Sequence, residues 1–384
     1  MEVYLDNSAT TRCSVRARDL MMQILTEDYG NPSSLHNKGK EAEDYIRRAR
    51  EQIARTLKID GRALLFTSGG TESNNLALIG GALANRRLGR HIITTAIEHP
   101  SVHAPLAHLK ELGYEITELS VDRDGVISLE ELRCALREDT VLVSIMMVNN
   151  EIGALQPVME AGRLIKGKNP KTLFHVDAIQ AYGKFHIYPQ KWGIDLLSVS
   201  GHKIHAPKGT GFLYIADKVK VQPMIFGGGQ QKGLRSGTEN VPGVAALGEA
   251  AAEIYENFEE KTERMYALRE RLIAGIREIE GVTVNGRADR SCAPHIVSIS
   301  IRDVRSEVML HSLEEYGIYV SAGSACSSHK PAPSRTLQAL GLSKGAVEST
   351  IRISLSVDTT QEEIDYTVAK LKEIIPFRRK FVRR

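Results

Sequence analysis

The chain has 384 residues, of which 42% are hydrophobic and 25% charged, and its formal net charge is +3. That length exceeds what one hydrophobic core serves, so two domains are expected, and a charge so close to neutral argues against a nucleic-acid-coating or polyanion-binding role. No apolar run approaches the ~20 residues of a membrane span, the start of the chain has no basic stretch followed by an apolar one, and the four scattered cysteines, without a CxxC pair, suggest neither a disulfide framework nor a metal site, which predicts a soluble, cytoplasmic protein with reduced thiols.

In chain order, a short strand over 3–5 leads through the polar turn Asp6-Asn7-Ser8 to a helix over 14–27. The run YGNPSSLHNKG is a loop, broken at Asn31-Pro32 and Gly39, and a charged helix over 39–57 follows. The strand ALLFT then passes through TSGGTES straight into an apolar-periodic helix. From there strands and helices alternate. Strands are predicted at 91–95, 115–119, 141–148, 173–176, 196–199 and 211–215, with helices at 101–112, 128–137 and 158–168. This is the pattern of βαβ units, an α/β fold with a mostly parallel sheet covered by helices on both faces.

Around residue 240 the composition changes to an alanine- and glutamate-rich helical stretch that runs to 279 and is broken once. The alternating strand IVSISI, a helix over 304–316, strands at 317–321 and 350–355 and a helix over 360–375 then describe a smaller α/β unit, which strand 3–5 can join. The expected division is a large domain over 15–258 and a small domain made of 1–14 and 259–384. The basic tail FRRKFVRR is expected to fray into solvent.

The chemistry gathers around SVSGHKIHAPKGTGFLYI. Lys203 sits between two strands beside Ser200 and His202, where desolvation can leave a free amine able to form a Schiff base. Upstream, FHVDAIQ places Asp177 at the end of a buried strand. An amine for an aldehyde and a carboxylate for a pyridinium nitrogen are what a pyridoxal-phosphate site requires. Other strand ends carry matching groups. TSGGTES, with Gly70 and Thr71, is a strand-to-helix turn whose free N–H groups suit a phosphate, although plain helix capping gives the same pattern. His99 follows the strand HIITT, Asn150 follows VLVSIMMV, and Gln180 lies just past Asp177. Ligands of open α/β sheets bind at such carboxyl ends.

Arg352 lies in the apolar strand STIRISL, and a buried arginine needs a carboxylate or phosphate partner. GGGQQKGLRSGTENVPG is a glycine-rich loop or subunit-contact arm carrying Thr238. In SAGSACSSHKP, Cys326 sits among Ser, Ala, Gly and Pro with no apolar period to bury it, the setting of a reactive thiol on a mobile loop. Cys13 has a weaker version of that setting. Cys134 reads as helix filler, and Cys292 as a loop residue without supporting chemistry.

The motifs YLDNSATT, YGNPSSLH, FTSGGTESNN, EHPSV, VNNEIG, HVDAIQ, SGHKIHAPKGTG, GGGQQKGLRSGTEN, GSACSS and IRISL resemble, in uninterrupted order from residue 3 to about 366, those of the NifS/IscS-type cysteine desulfurases. SGHK is shared with other fold-type I pyridoxal-phosphate enzymes; its combination with GSAC and RSGTEN is far more specific. The resemblance implies an aspartate-aminotransferase-like homodimer that converts L-cysteine to L-alanine and leaves a protein persulfide. It matches Lys203 to the Schiff-base lysine, Asp177 to the pyridinium partner and His99 to the ring-stacking histidine and proton carrier. Asn150 and Gln180 match contacts to the ring oxygen. Thr71, Ser200 and His202 match phosphate ligands beside Gly70, joined by Thr238 from the partner subunit. Arg352 matches the substrate-carboxylate clamp and Cys326 the sulfur-accepting thiol, in the group with a long cysteine loop. Gly70 stands where relatives often have alanine. The implied sulfur acceptor is an iron–sulfur cluster scaffold, a tRNA-thiolation protein or a cofactor-biosynthesis protein, with no nucleic acid, membrane or metal required. An aminotransferase of the same fold would need no thiol, a selenocysteine lyase could use the same residues, and a non-catalytic relative would have lost Lys203.

Overall fold

A computed structural model describes residues 1–322 and 333–381. Its strands are β1 (Val3–Tyr4), β2 (Leu64–Thr67), β3 (His91–Thr95), β4 (Glu115–Leu119), β5 (Thr140–Met146), β6 (Leu173–Asp177), β7 (Leu196–Ser200), β8 (Gly211–Ile215), β9 (Val282–Asn285), β10 (Ile296–Ile301), β11 (Ile318–Tyr319), β12 (Ser321–Ala322) and β13 (Thr350–Ser354). Seven of them form one sheet in the order β2-β8-β7-β6-β5-β3-β4. β8 runs antiparallel to both of its neighbours, and every other pairing is parallel. β2, β3, β5, β6 and β7 therefore all end on one side of the sheet.

β2, β3, β5, β6 and β7 are buried along their whole length. They read as continuous apolar runs because helices cover both faces of a parallel sheet. On one face, Asn37–Leu57 packs across Val241–Tyr255 through Ala42, Ile46, Ala49, Ala246 and Ala250. The helices come close because Gly248 faces Ala49: a Cβ on Gly248 would lie 2.5 Å from the Ala49 Cα. The other face holds the helical segment that begins at Gly70 and passes through a π-helical turn, Leu76–Gly80, to Ala84.

The second sheet, β12-β13-β10-β9, is antiparallel and has its own core of Leu272, Ile276, Val297, Ile299, Ile351, Leu371 and Ile375. Val3 and Leu5 join that core. β1 pairs with β11, and Asp6 bridges Ser354 at the end of β13, so the beginning of the chain is tied to this second unit.

Most of the expected elements are found within a residue or two. The break in the long helix falls at Asn257, whose left-handed φ of 50° separates Val241–Tyr255 from Phe258–Arg277. The expected fraying of the tail is corrected over its first part. The last helix continues through Pro376 to Arg379, where Arg379 donates to the Arg302 and Glu280 carbonyls and Arg378 meets Glu315. β9 and the short helices Arg335–Ala339 and Lys344–Glu348 were not anticipated.

Candidate active site

The shared strand ends open onto a cavity of about 340 Å³, lined by Gly70, Thr71, His99, Asn150, Asp177, Gln180, Ser200, His202, Lys203 and Arg352, with Ser8, Ala9, Ser101, Met146, Val148 and Ile179. Ten residues singled out from five strand ends and from β13 thus meet in one place. Two do not. Thr238 is exposed and lies outside the lining of its own chain's cavity. Cys326 lies outside the described residues. Larger cavities, among them one of about 690 Å³ lined by Gly281, Arg302 and Phe381, carry no comparable set of groups.

Lys203 ends the 3₁₀ turn Gly201–Lys203 that links β7 to the reversed β8. Its Nζ donates to the carbonyls of Ser8 (2.6 Å) and Ala9 (2.7 Å), so the amine points across the cavity to the first turn of the chain. Asp177, the last residue of β6, is buried. Its Oδ1 accepts from the Ile179 N–H (3.0 Å) and its Oδ2 from Asn74 Nδ2 (2.8 Å). Burial pushes its pKa up, against those hydrogen bonds and the charges of His99 and Lys203. A carboxylate in that position favours the arrival of a cation.

His99 caps the helix Pro100–Glu111, with Pro100 at its first position. The Ser101 N–H (3.1 Å) and hydroxyl (2.8 Å) both donate to His99 Nδ1, which leaves the hydrogen on Nε2. Asn74 Nδ2 donates to Ser101 Oγ as well as to Asp177, so one chain of hydrogen bonds connects His99 to Asp177. Burial lowers the His99 pKa, against the charge of Asp177 and together with that of Lys203. His202 is held down to about 4 by burial and by the charges of Lys203 and Lys208. Its Nδ1 lies 3.2 Å from Thr10 Oγ1. Gln180 donates to the Ser8 carbonyl (3.0 Å) and accepts from His295 Nε2 at 3.3 Å, so its amide reaches the cavity already oriented.

Arg352 faces the same space from β13. Its Nη2 donates to Asp6 Oδ1 and its Nη1 to the Asn150 carbonyl, each at 2.8 Å, while its buried Nε has no partner among the described residues. Asn149 serves the backbone, accepting from the Glu151 and Ile152 N–H groups. Gly70 has a local reason: a Cβ there would lie 2.2 Å from Ile179 Cδ1, so the larger Ile179 fills the space that an alanine methyl would need.

These groups fit pyridoxal phosphate. A buried carboxylate awaits a ring cation, and an amine is held on two carbonyls. The Gly70 helix presents N–H groups that no intrahelical carbonyl takes, beside Thr71 and Ser200, and the buried Ser8 Oγ has no partner among the described residues.

Sequence reasoning missed Ser8, Ala9, Asp6, Asn74 and Ser101. The polar turn after β1 was its only hint of the first three. The other cysteines are placed differently from expectation. Cys134 is exposed rather than filler, with Sγ 3.5 Å from Glu130 Oε1. Cys292 is buried, and its thiol donates to the Arg287 and Asp289 carbonyls. Burial raises the pKa of Cys13, the opposite of a reactive thiol.

Comparison with known proteins agrees with this geometry. The family model described as "Aminotransferase class-V" matches residues 3–367. The chain is 41% identical over 380 residues to cysteine desulfurase IscS of Clostridium botulinum, covering 98% of this chain and 95% of that one. It is 42% identical to the protein of the same name from Methanosarcina thermophila, over 97% and 92% of the two chains. Among solved structures, a NifS-like protein superposes with a TM-score of 0.92 at 39% identity, covering 98% of this chain and 100% of that one. The structure of SspA in complex with cysteine gives 0.81 at 32% identity and covers 93% and 100%.

Proposed function

We infer from this site, in a chain that belongs to the class-V aminotransferase family, a pyridoxal-phosphate-dependent cysteine desulfurase that converts L-cysteine to L-alanine and passes the sulfur to Cys326. The observation that carries the reading is the convergence of Lys203, Asp177, His99 and Arg352 on one cavity. That SspA, a structural relative, was solved in complex with cysteine supports the substrate.

When bound, the cofactor supplies an electron-accepting ring conjugated to the substrate amine. Lys203 would hold it through its amine and Asp177 through the ring nitrogen. His99 would pack against the ring, Asn150 and Gln180 would serve its oxygen, and Gly70, Thr71, Ser200 and neutral His202 would receive the phosphate. Arg352 orients the substrate carboxylate with the N–H groups left over from Asp6 and Asn150. The Cys326 thiolate then attacks the substrate sulfur. An S–S bond forms as the C–S bond breaks, the C–S electron pair returns to the alanine β-carbon, and Lys203 or His99 supplies the proton.

The segment carrying Cys326 leaves after β12, where Ser321 pairs with Arg352, and returns at Ser334, whose hydroxyl donates to Glu151 beside Asn150. Both of its attachment points therefore flank the cavity, which supports Cys326 as the acceptor. A second copy of the chain would complete the site. Tyr29, Leu35 and Phe226 are large apolar side chains left exposed, and Phe226 directly precedes the glycine-rich segment that carries Thr238. The onward acceptor is a protein such as an iron–sulfur scaffold in the cytoplasm, and the separate core that joins Val3 and Leu5 to Leu272, Ile351 and Leu371 supports a large domain over 15–258 and a small one made of 1–14 and 259–384.

The test is the Cys326→Ala variant given L-cysteine. It should keep the bound cofactor's absorbance yet release almost no alanine, while wild-type protein gains one sulfur at Cys326 and none at Cys13, Cys134 or Cys292 by peptide mass spectrometry. Full alanine release by the variant would indicate a lyase that needs no protein thiol.

A further inference from the structure

Lys184 has no part in the site described above, yet it lies directly behind it. It follows Gly183 beyond the end of β6 and is 5% exposed. Its Nζ donates to the Lys203 carbonyl at 2.7 Å. The preceding carbonyl of the same turn, that of His202, accepts from the Thr11 N–H (2.8 Å) and hydroxyl (3.0 Å). Two successive carbonyls of the turn that presents the Lys203 amine are thus gripped from outside, one by Thr11 and one by Lys184.

An amide donor would serve for a hydrogen bond alone. This position instead has a buried amine, and the influences on it are burial and the like charge of Lys203, with no carboxylate among them. Burying an amine without a counter-ion is costly, and such groups tend to mark functional sites. The groups facing it are Lys203 from the 3₁₀ turn, His205 just past it and His295 at the edge of β10. Burial holds both histidines below their ordinary range, with Lys184 the next-largest influence on each. Asp358 Oδ2 lies 3.6 Å from His205 Nδ1, Glu253 also acts on His205, and Arg352, Arg269 and Lys203 act on His295.

We propose that Lys184 is a positioning residue for Lys203: its amine clamps the turn through the Lys203 carbonyl, and its charge disfavours protonation of the nitrogen that holds the cofactor. This rests on the assignment of Lys203 as the cofactor-holding amine. Burial and Lys203 lower the Lys184 pKa to about 7, so the charge is present in acid and lost through neutrality. Below that point the Lys203 nitrogen gives up its proton more readily, and above it less so.

Two variants separate the clamp from the charge. Lys184→Met removes both, whereas Lys184→Gln keeps a donor for the carbonyl and removes only the charge. The readout is the pH midpoint of the bound cofactor's visible absorbance in the holoenzyme. Both variants should move that midpoint upward by on the order of one pH unit. Only Lys184→Met should also lose cofactor faster on dialysis, by about tenfold. Midpoints equal to wild type in both variants overturn the proposal, as does equal cofactor retention in the two.

If Lys184→Met does not fold, the Lys184→Gln midpoint decides. If neither folds, melting of the wild-type holoenzyme against pH decides. A lysine whose folded pKa lies below its unfolded value of about 10.5 adds stability as pH rises between the two, so the melting temperature should climb above about pH 8, where the buried Glu98 no longer opposes it, and a fall there overturns the proposal. Failure of the underlying assignment shows elsewhere, as cofactor still reducible onto the chain by borohydride in Lys203→Ala.

Discussion

Replacing Arg352 with alanine tests the substrate end of the site. A guanidinium has five N–H donors. In Arg352 one goes to Asp6 Oδ1 and one to the Asn150 carbonyl, each at 2.8 Å, and the buried Nε is unpartnered among the described residues. Three N–H groups, Nε among them, remain for a carboxylate. Charge-assisted hydrogen bonds of this kind are worth about 1.5–3 kcal/mol, and each 1.4 kcal/mol is a factor of ten, so KM for cysteine should rise roughly 10–100-fold. Arg352→Lys, which keeps the charge without the fork, should fall between wild type and alanine. The alanine variant also leaves Asp6 without its cation, so a lower melting temperature is expected while the cofactor's absorbance stays unchanged, because Lys203 and Asp177 are untouched. Steady-state kinetics of alanine formation, with the absorbance spectrum as control, is the assay. An unchanged KM with intact cofactor would refute the reasoning and return Arg352 to a structural ion pair with Asp6.

Mixing Lys203→Ala with Thr238→Ala protomers should give heterodimers with one intact and one doubly defective site, read as cofactor occupancy per site; defects that stay within their own protomers would mean that Thr238 does not cross. Glu98 is buried, with Oε1 accepting from the Met146 N–H and the Thr95 hydroxyl and Oε2 unpartnered among the described residues, and burial raises its pKa to about 8. The folded state therefore binds a proton between about 4.5 and 8 that the unfolded chain releases, and stability falls across that window by up to about 1.4 kcal/mol per pH unit. Glu98→Gln should accordingly raise the melting temperature near pH 8 far more than near pH 5, and an equal change at both would place the ionisation elsewhere.

The strands β3, β5, β6 and β7 were legible because a parallel sheet buried on both faces writes itself as short apolar runs, and β10 because its run IVSISI alternates. The reversed direction of β8 was not legible, since the run GFLYI has the same composition whichever way it pairs. Nor was the helix Arg335–Ala339, too short to carry a period. In the candidate site, residue types with strong chemistry announced themselves at strand ends: Lys203, Asp177, His99 and Arg352. What stayed hidden acts through the backbone or through long-range contact. The Ser8 and Ala9 carbonyls have no side-chain signature, Asn74 reads as an ordinary helix residue, and Lys184 in YGKF looks like any surface lysine until the fold buries it.

The pairing of Asp6 with Arg352 joins residues 346 apart in the chain. During synthesis, the turn that receives the Lys203 amine is made well before the strand that secures it. The seven-stranded sheet, complete by Ile215, can form while the carboxyl-terminal third is still on the ribosome, but the first turn has no β13 to dock against until residue 354 has emerged. Closing so long a loop costs entropy that local contacts cannot offset. A nascent chain would therefore carry Lys203 and Asp177 in an open cleft and seal the cleft only as its two ends meet, which makes cofactor capture a late event in biosynthesis.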